Sequence, residues 1–340
     1  MKKALITWIR WQDAAYLAEL LLSKWYEVYG ADRRSSAYWY GRLDILGIAD
    51  KIKYVYMDLL DVNNINRVIK DIQPDELYNL AAQSFVGTSF NQPLVTSDID
   101  AMGVLRVLDA IKTYSPHTKF YQASTSEMYG GTSYNRPEKW YDEESAFHPR
   151  SPYWVAKLFG HWMTKNYRES FGLYACSGIL FNHESPLRWL EFVTRKITNT
   201  VAKISTWKAD KLTLWNIDAL RDRWYAKEYV EGMRLMLQQD KPDDFVLATW
   251  VTHTVRSFVE NSFAIVWIDI QRQWSWVDEK GVDKNSGKIV VEISSDFYRP
   301  AEVDLLIWDP KKAELILWRK AKTDIAWLTK LMVDYDLSIV

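Results

Sequence analysis

Tyr153 and Lys157 stand four residues apart, Y-x-x-x-K, a short way downstream of Ser124-Thr125-Ser126-Glu127. On a helix that spacing puts the phenol and the ammonium on one face. A fixed positive charge favours the phenolate, so Tyr153 can take a proton from a sugar or alcohol hydroxyl near neutral pH. The chemistry suggested is hydride transfer to a nicotinamide. Taken alone the pair is a weak signal, because two common residues at this spacing also arise as surface packing.

The preceding elements supply context. Lys2 to Thr7 reads as a short buried strand, followed by a turn and a helical stretch from Tyr16 to Lys24. A dinucleotide-binding βαβ unit begins this way. A second strand, Glu27 to Gly30, ends in Ala31-Asp32-Arg33-Arg34-Ser35-Ser36, where such folds read the adenosine ribose. Two arginines there favour a 2′-phosphate, hence NADP over NAD, with a solvated charge pair as the other reading. Tyr54 to Leu59, Glu76 to Ala82 and Phe120 to Ser124 each look like a buried strand ending in a polar or small residue, with helical stretches between. The expectation is an α/β chain with a Rossmann-type, doubly wound parallel sheet. We expect the cofactor lobe at about 1–180, with about 225–254 returning to it. A smaller α/β substrate-binding lobe would be built mainly from 181–340.

Composition fits an ordinary globular enzyme: 340 residues, 48% hydrophobic and 26% charged, enough for one large core and a smaller lobe. A net charge of −1 offers no electrostatic reason to expect nucleic acid or an anionic membrane as partner. The single cysteine, Cys176, cannot form an internal disulfide and fits a reducing compartment; its apolar setting suggests packing rather than nucleophilic chemistry. No apolar run approaches the roughly 20 residues a membrane span needs, and Met1-Lys2-Lys3 leads straight into a strand, so a cytoplasmic location is expected. His117, His148, His161, His183 and His253 show no metal-ligand spacing, and no metal is expected. No G-x-S-x-G elbow supports serine-hydrolase chemistry.

With these motifs in place the chain resembles the extended short-chain dehydrogenase/reductases, specifically the GDP-mannose 4,6-dehydratase family. The resemblance is carried in order by Y-G-A-D-R-R-S-S (Tyr29 to Ser36), Y-N-L-A-A-Q-S-F-V (Tyr78 to Val86), Q-A-S-T-S-E-M-Y (Gln122 to Tyr129) and P-R-S-P-Y-W-V-A-K (Pro149 to Lys157). L-F-N-H-E-S-P-L-R (Leu180 to Arg188), F-V-T-R-K-I (Phe192 to Ile197) and R-P-A-E-V-D (Arg299 to Asp304) continue it.

One departure is as informative as the match. Where the family has its glycine-rich loop, this chain reads Thr7-Trp8-Ile9-Arg10-Trp11-Gln12-Asp13-Ala14, with tryptophan at two glycine positions and alanine at the third. Those glycines make the tight turn, admit the pyrophosphate and let helix and strand pack closely. The same exchange recurs at Trp25, Trp154, Trp189, Trp215, Trp250, Trp308 and Trp318, while Arg223 and Arg319 stand where the resemblance leads us to expect tryptophan. Glycine totals 13 and tryptophan 18 of 340 residues, the reverse of their usual order. This reads as systematic alteration, through engineering, decoding or divergence; carbohydrate stacking is a weaker reading, since the indoles fall at turns throughout the chain.

The resemblance implies a mechanism. Tyr153, held anionic by Lys157, removes the proton from the hexose C4 hydroxyl as hydride leaves C4 for NADP; Glu127 takes the C5 proton and passes a proton to the departing C6 hydroxyl; hydride then returns to C6. Thr125 would hydrogen-bond the C4 oxygen. For Glu127 the alternative is a residue that caps a helix start. The resemblance places cofactor contacts at Trp8, Ile9, Arg10, Trp11, Gln12, Asp13, Arg33, Arg34, Ser35, Ser36, Asp58, Leu59, Leu80, Ala81, Ala82, Gln83, Ser84, Lys157, His183 and Arg188. Nucleotide-sugar contacts would be Ser84, Ser126, Asn182, Lys196, Arg221, Arg299 and Glu302, the basic ones facing the pyrophosphate of GDP-mannose. The family implies a homodimer or homotetramer. Two alternatives stay open: a same-fold GDP-4-keto-6-deoxymannose reductase or dTDP-sugar dehydratase, and a non-catalytic protein whose phosphate loop is blocked by Trp8 and Trp11.

Overall fold

The computed structural model describes residues 1–36, 40–131, 140–273, 278–294 and 308–340. Its contacts divide the chain into two units, one drawn from Met1–Phe181, Ala226–Ala248 and Ile307–Lys320, the other from Asn182–Tyr225, Thr249–Leu306 and Ala321–Val340.

The chain opens with β1 (Lys3–Thr7), α1 (Gln12–Ser23), β2 (Glu27–Asp32), α2 (Gly41–Ile45), β3 (Lys53–Tyr56), α3 (Val62–Ile72) and β4 (Glu76–Asn79). It continues through α4 (Val86–Asn91), α5 (Pro93–Ser97), α6 (Gly103–Tyr114), β5 (Lys119–Thr125), α7 (Pro152–Phe171) and β6 (Ala175–Leu180). Next come β7 (Asn182–Glu184), α8 (Val193–Ser205), β8 (Leu212–Leu214), β9 (Leu220–Arg221), β10 (Arg223–Tyr225), α9 (Ala226–Met236) and β11 (Phe245–Leu247). The remainder is β12 (His253–Thr254), α10 (Val255–Ile265), β13 (Ile270–Gln273), β14 (Lys280–Asp283), β15 (Ile289–Ile293), α11 (Lys311–Leu317) and α12 (Ile325–Ile339).

In the first unit seven strands form one sheet in the order β11-β6-β5-β4-β1-β2-β3, and every neighbouring pair is parallel. The order reverses direction at β1, as in a doubly wound sheet, and the crevice for a ligand in such a sheet lies beyond the carboxyl ends of its strands. The expected fold class is the one found. Apolar runs explain the strands: β6 is buried along its whole length, as central parallel strands covered on both faces must be. Leu5, Leu77, Val107, Ile111 and Phe120 lie in the core between the sheet and its helices.

In the second unit β13-β14-β15-β8 form a four-stranded sheet, and β10-β7 and β12-β9 form two pairs. Its core gathers Ile197, Leu214, Phe258, Val291 and Met332. A buried ion pair ties α8 to α12, with Arg195 Nη2 2.6 Å from Asp336 Oδ1, and Thr198 also donates to that carboxylate.

The backbone at several turns and helix ends carries an unusual pattern. Among the described residues, seven non-glycine residues have positive φ: Gln73 (49°) and six tryptophans, Trp8 (57°), Trp25 (63°), Trp207 (61°), Trp250 (72°), Trp267 (62°) and Trp318 (53°). The sequence reading had marked Trp8, Trp25, Trp250 and Trp318 as standing at glycine positions; Trp207 and Trp267 it missed. Trp11, by contrast, has φ −85°, and no positive φ is found at Trp154, Trp189, Trp215 or Trp308. Left-handed backbone costs a residue with a side chain about 1–2 kcal/mol. Six such residues cost about 6–12 kcal/mol on that scale, comparable to the roughly 5–15 kcal/mol that holds a domain folded.

Candidate active site

Strand β5 ends at Thr125 and turns directly into a 3₁₀ turn, Ser126–Tyr129. The Thr125 hydroxyl accepts the Glu127 N–H at 3.3 Å and so caps the turn. The carboxylate of Glu127 is not spent on that cap: Oε2 accepts a hydrogen bond from the indole Nε1 of Trp154 at 2.5 Å. The chain can return close to the turn because Gly130, at φ 77°, has no side chain: a Cβ there would lie 2.0 Å from the His148 carbonyl oxygen.

Helix α7 begins where its sequence says it should. Ser151 caps it by accepting the Trp154 N–H, and Pro152 occupies its first turn, where a missing N–H costs nothing. Tyr153 and Lys157 are both buried on this helix, one turn apart. Burial alone pushes the Lys157 ammonium down from its ordinary value, and the carboxylate of Asp100 opposes that push. Asp100 sits on a π-helical turn, Asp98–Met102, a feature frequent at functional sites. Its Oδ1 accepts the Gln83 N–H at 2.6 Å, while Oδ2 is buried with no hydrogen-bond partner among the described residues. Burial pushes the Asp100 carboxyl up to about 7, partly offset by Lys157 and the Gln83 N–H. Asp100 therefore holds the loop after β4 by hydrogen bond and acts on the lysine of α7 through its charge. The sequence reading missed it, since one aspartate inside an ordinary helical stretch carries no motif.

The expected cofactor residues of the first unit fall around the carboxyl ends of β1, β2, β3 and β4. Thr7 Oγ1 accepts the N–H groups of Leu80 at 2.9 Å and Ala81 at 3.0 Å, which fixes the loop running on through Ala82, Gln83 and Ser84. After β2, Arg33, Arg34, Ser35 and Ser36 are exposed, while Arg10 Nε donates to Asp32 Oδ2 at 2.5 Å. After β3, the Asp58 N–H is held by Asn64 at 2.9 Å and Leu59 is buried.

The loop between β1 and α1 departs from what a dinucleotide needs. Ile9 is buried and its N–H bonds the Ala31 carbonyl at 3.2 Å. Trp8 and Trp11 stack on each other, ring centroids 4.3 Å apart and planes 20° from parallel. Trp11 is the N-cap residue of α1 and offers no side-chain cap; Gln12 and Asp13 hydrogen-bond each other at 2.9 Å. A pyrophosphate at this helix start requires bare backbone N–H groups and close approach. Two stacked indoles at that turn do not fit the group.

In the second unit Asn182 and His183 lie on β7, paired with Arg223 and Trp224 of β10. Arg188 donates to the His183 carbonyl at 2.6 Å and pairs with Glu184 at 3.2 Å. Lys196 projects from α8, where burial pushes its ammonium down from the ordinary value. Arg221 lies on β9 and donates to the Leu220 carbonyl at 2.8 Å. Burial likewise pulls the Arg223 guanidinium down to about 10. Arg299 and Glu302 lie outside the described residues. Among the described residues no cluster of His, Cys, Asp or Glu could hold a metal ion, and no helix is long and apolar enough to cross a membrane.

The first unit carries groups that can move protons: a buried phenol and a buried lysine one turn apart on α7, a buried carboxylate at Asp100, and a second carboxylate, Glu127, on the turn after β5. Comparison with known proteins agrees with that chemistry. The family model described as GDP-mannose 4,6 dehydratase matches residues 5–332. The chain is 46% identical to a GDP-mannose 4,6-dehydratase of Vibrio cholerae, covering 98% of this chain and 91% of that one. It is 44% identical to a GDP-mannose 4,6 dehydratase of Dictyostelium discoideum, covering 100% and 97%. The Homo sapiens GDP-mannose 4,6 dehydratase is 48% identical over 90% of this chain and 83% of its own. Among solved structures, the Thermus thermophilus UDP-glucose 4-epimerase in complex with NAD superposes with a TM-score of 0.81 at 21% identity, covering 99% and 100%, which speaks to the fold. This chain therefore belongs to the GDP-mannose 4,6-dehydratase family of extended short-chain dehydrogenase/reductases.

Proposed function

We propose that this protein is a GDP-mannose 4,6-dehydratase, a hydro-lyase that converts GDP-mannose to GDP-4-keto-6-deoxymannose and water. The observation that carries the reading is Glu127 on the turn after β5, hydrogen-bonded at 2.5 Å to the first turn of the helix that bears Tyr153 and Lys157. Reductases and epimerases of this fold use a tyrosine and lysine pair; a carboxylate beside it has a use when a carbon acid must also lose a proton and a hydroxyl must leave.

The residues divide that work. Lys157, whose ammonium burial pushes down and Asp100 partly supports, stabilises in its charged form the phenolate of Tyr153, which takes the proton of the C4 hydroxyl. Thr125 hydrogen-bonds the C4 oxygen and holds the ring. Once C4 is a ketone, its neighbour C5 is acidic. Glu127 takes the C5 proton and returns a proton to the C6 hydroxyl, which leaves as water. Overall the reaction is redox-neutral: a nicotinamide, when bound, would accept the hydride that leaves C4 and give it back at C6, and C5 regains a proton once the C6 hydroxyl has left as water. Replacement of Glu127 tests this division. Glu127→Gln should lower kcat by about 10²–10⁴ and abolish exchange of the C5 proton with solvent deuterium, while nucleotide-sugar affinity persists. Retained C5 exchange in that variant would remove Glu127 from the role.

The proposed cofactor is NADP, because Arg33 and Arg34 are exposed just past β2 with no ion-pair partner among the described residues, where a 2′-phosphate would meet them. In this proposal Asp58, Leu59, Leu80, Ala81, Ala82, Gln83 and Ser84 line the dinucleotide, with His183 and Arg188 as further contacts. Ser84, Ser126, Asn182, Lys196, Arg221, Arg299 and Glu302 contact the nucleotide sugar. The first unit serves mainly the dinucleotide and the second mainly the GDP-sugar. A cytoplasmic homodimer or homotetramer completes the proposal; the buried free thiol of Cys176 is compatible with a reducing compartment. One observation favours a second reading for the chain as written: the Trp8–Trp11 stack at the phosphate turn favours a protein that keeps its catalytic side chains but binds the dinucleotide poorly.

A further inference from the structure

The backbone itself marks the tryptophans that do not belong. Helix α1 ends with the Trp25 N–H on the Leu22 carbonyl at 3.1 Å and the Tyr26 N–H on the Leu21 carbonyl at 3.0 Å. Helix α8 repeats the pair, Trp207 to Ile204 at 3.1 Å and Lys208 to Lys203 at 2.7 Å. Helix α10 repeats it again, Trp267 to Ala264 and Ile268 to Phe263, both at 3.1 Å. These are three Schellman motifs, and the residue in their left-handed position is ordinarily glycine. The chain contains its own control: α2 closes with the same two bonds, Gly47 to Asp44 at 2.9 Å and Ile48 to Leu43 at 3.0 Å, with Gly47 at φ 63°. Trp318 closes α11 in the left-handed region as well.

Little packing offsets the strain at these ends: Trp207 has Lys288 Nζ 4.6 Å above its ring, a weak contact at an exposed site. Trp25, Trp207, Trp267 and Trp318 are 83%, 81%, 90% and 91% exposed, so their indoles bury almost nothing. They occur in both units. Independent drift at left-handed positions would leave a mixture rich in asparagine and aspartate; here six of seven are a single residue type. Tryptophan in ordinary backbone, such as Trp224 within β10, carries no such mark. One residue type at six of these seven sites indicates one cause acting on a codon.

We infer that the codon written as tryptophan at Trp8, Trp25, Trp207, Trp250, Trp267 and Trp318 is decoded as glycine in the cell that makes this chain. The native protein then has ordinary glycine C-caps, and at the Trp8 position a turn that lets backbone approach a phosphate. The misfit at the dinucleotide loop is the same exchange seen at a functional turn. The inference stands on backbone geometry and is independent of the dehydratase reading.

The test is peptide mass spectrometry on the protein purified from the cells that encode it. Every peptide spanning one of the six positions is expected to be lighter than the written sequence by the difference between an indole side chain and a hydrogen. Tryptophan at any one of the six overturns the inference. A second measurement checks the strain on which it rests: the chain as written and a variant with all six Trp→Gly changes are made in a host that reads tryptophan conventionally. The variant is expected to unfold at higher urea; an equal or lower midpoint overturns the premise.

Discussion

The indole N–H of Trp154 donates to the carboxylate of Glu127 at 2.5 Å, so the group proposed to take the C5 proton is already engaged by a residue one position from Tyr153. A hydrogen bond to a charged group is worth about 1.5–3 kcal/mol, and part of it must be given up as Glu127 accepts a proton. Trp154→Phe removes the donor and keeps most of the buried ring volume. In a chain that also carries Trp8→Gly and Trp11→Gly, it should raise kcat about tenfold, measured as formation of the 4-keto-6-deoxy sugar. An unchanged or lower kcat would mean that the indole orients Glu127 productively rather than restraining it.

Asp100 is the charged group that opposes the effect of burial on Lys157. Asp100→Asn keeps an acceptor for the Gln83 N–H and removes the negative charge. Lys157 then gives up its proton at lower pH, and Tyr153 loses its cationic neighbour. The alkaline limb of the kcat/KM profile should move to lower pH. A purely structural role predicts a rate loss that is the same at every pH, with the limb in place.

Glu143 provides a stability test away from the chemistry. Its carboxylate accepts the Val246 N–H at 2.7 Å, and burial pushes its carboxyl up to about 7, with the Val246 N–H and Lys312 partly offsetting. For a group raised on folding, the favourable contribution is complete below the unfolded value near 4.5 and is lost as pH rises through about 7. Glu143→Gln, an acceptor without the charge, should therefore match the parent near pH 4. At pH 8 it should be more stable by up to about 3 kcal/mol, read from urea unfolding at the two pH values. A difference independent of pH would contradict the titration.

The sheet was legible because its strands are apolar runs ending at polar or small residues, and the motif order placed Tyr153, Lys157, Thr125 and Glu127 on adjoining elements. The first helix starts four residues earlier than its apolar pattern suggests, at Gln12 rather than Tyr16, because the turn before it lacks the glycines that normally announce it. Trp207 and Trp267 escaped notice for a related reason: a helix end is read from its glycine, and here no glycine stands there. The link from Trp154 to Glu127 joins residues 27 apart in sequence, and the facing of Asp100 to Lys157 depends on how a π-turn packs against α7. Neither leaves a trace in spacing. Arg299 and Glu302 rest on their motif alone.

Calorimetric titration with NADPH, followed in the same preparation by GDP-mannose turnover, tests the central claim most directly. Two chains are compared, the one as written and one carrying Trp8→Gly and Trp11→Gly. The account predicts weak or no binding by the first, saturable binding by the second, and release of a 4-keto-6-deoxy sugar only when the dinucleotide is bound. Equal affinity in the two chains would contradict the misfit at the β1–α1 turn, and a glycine-restored chain that binds NADPH yet leaves GDP-mannose unchanged would contradict the dehydratase.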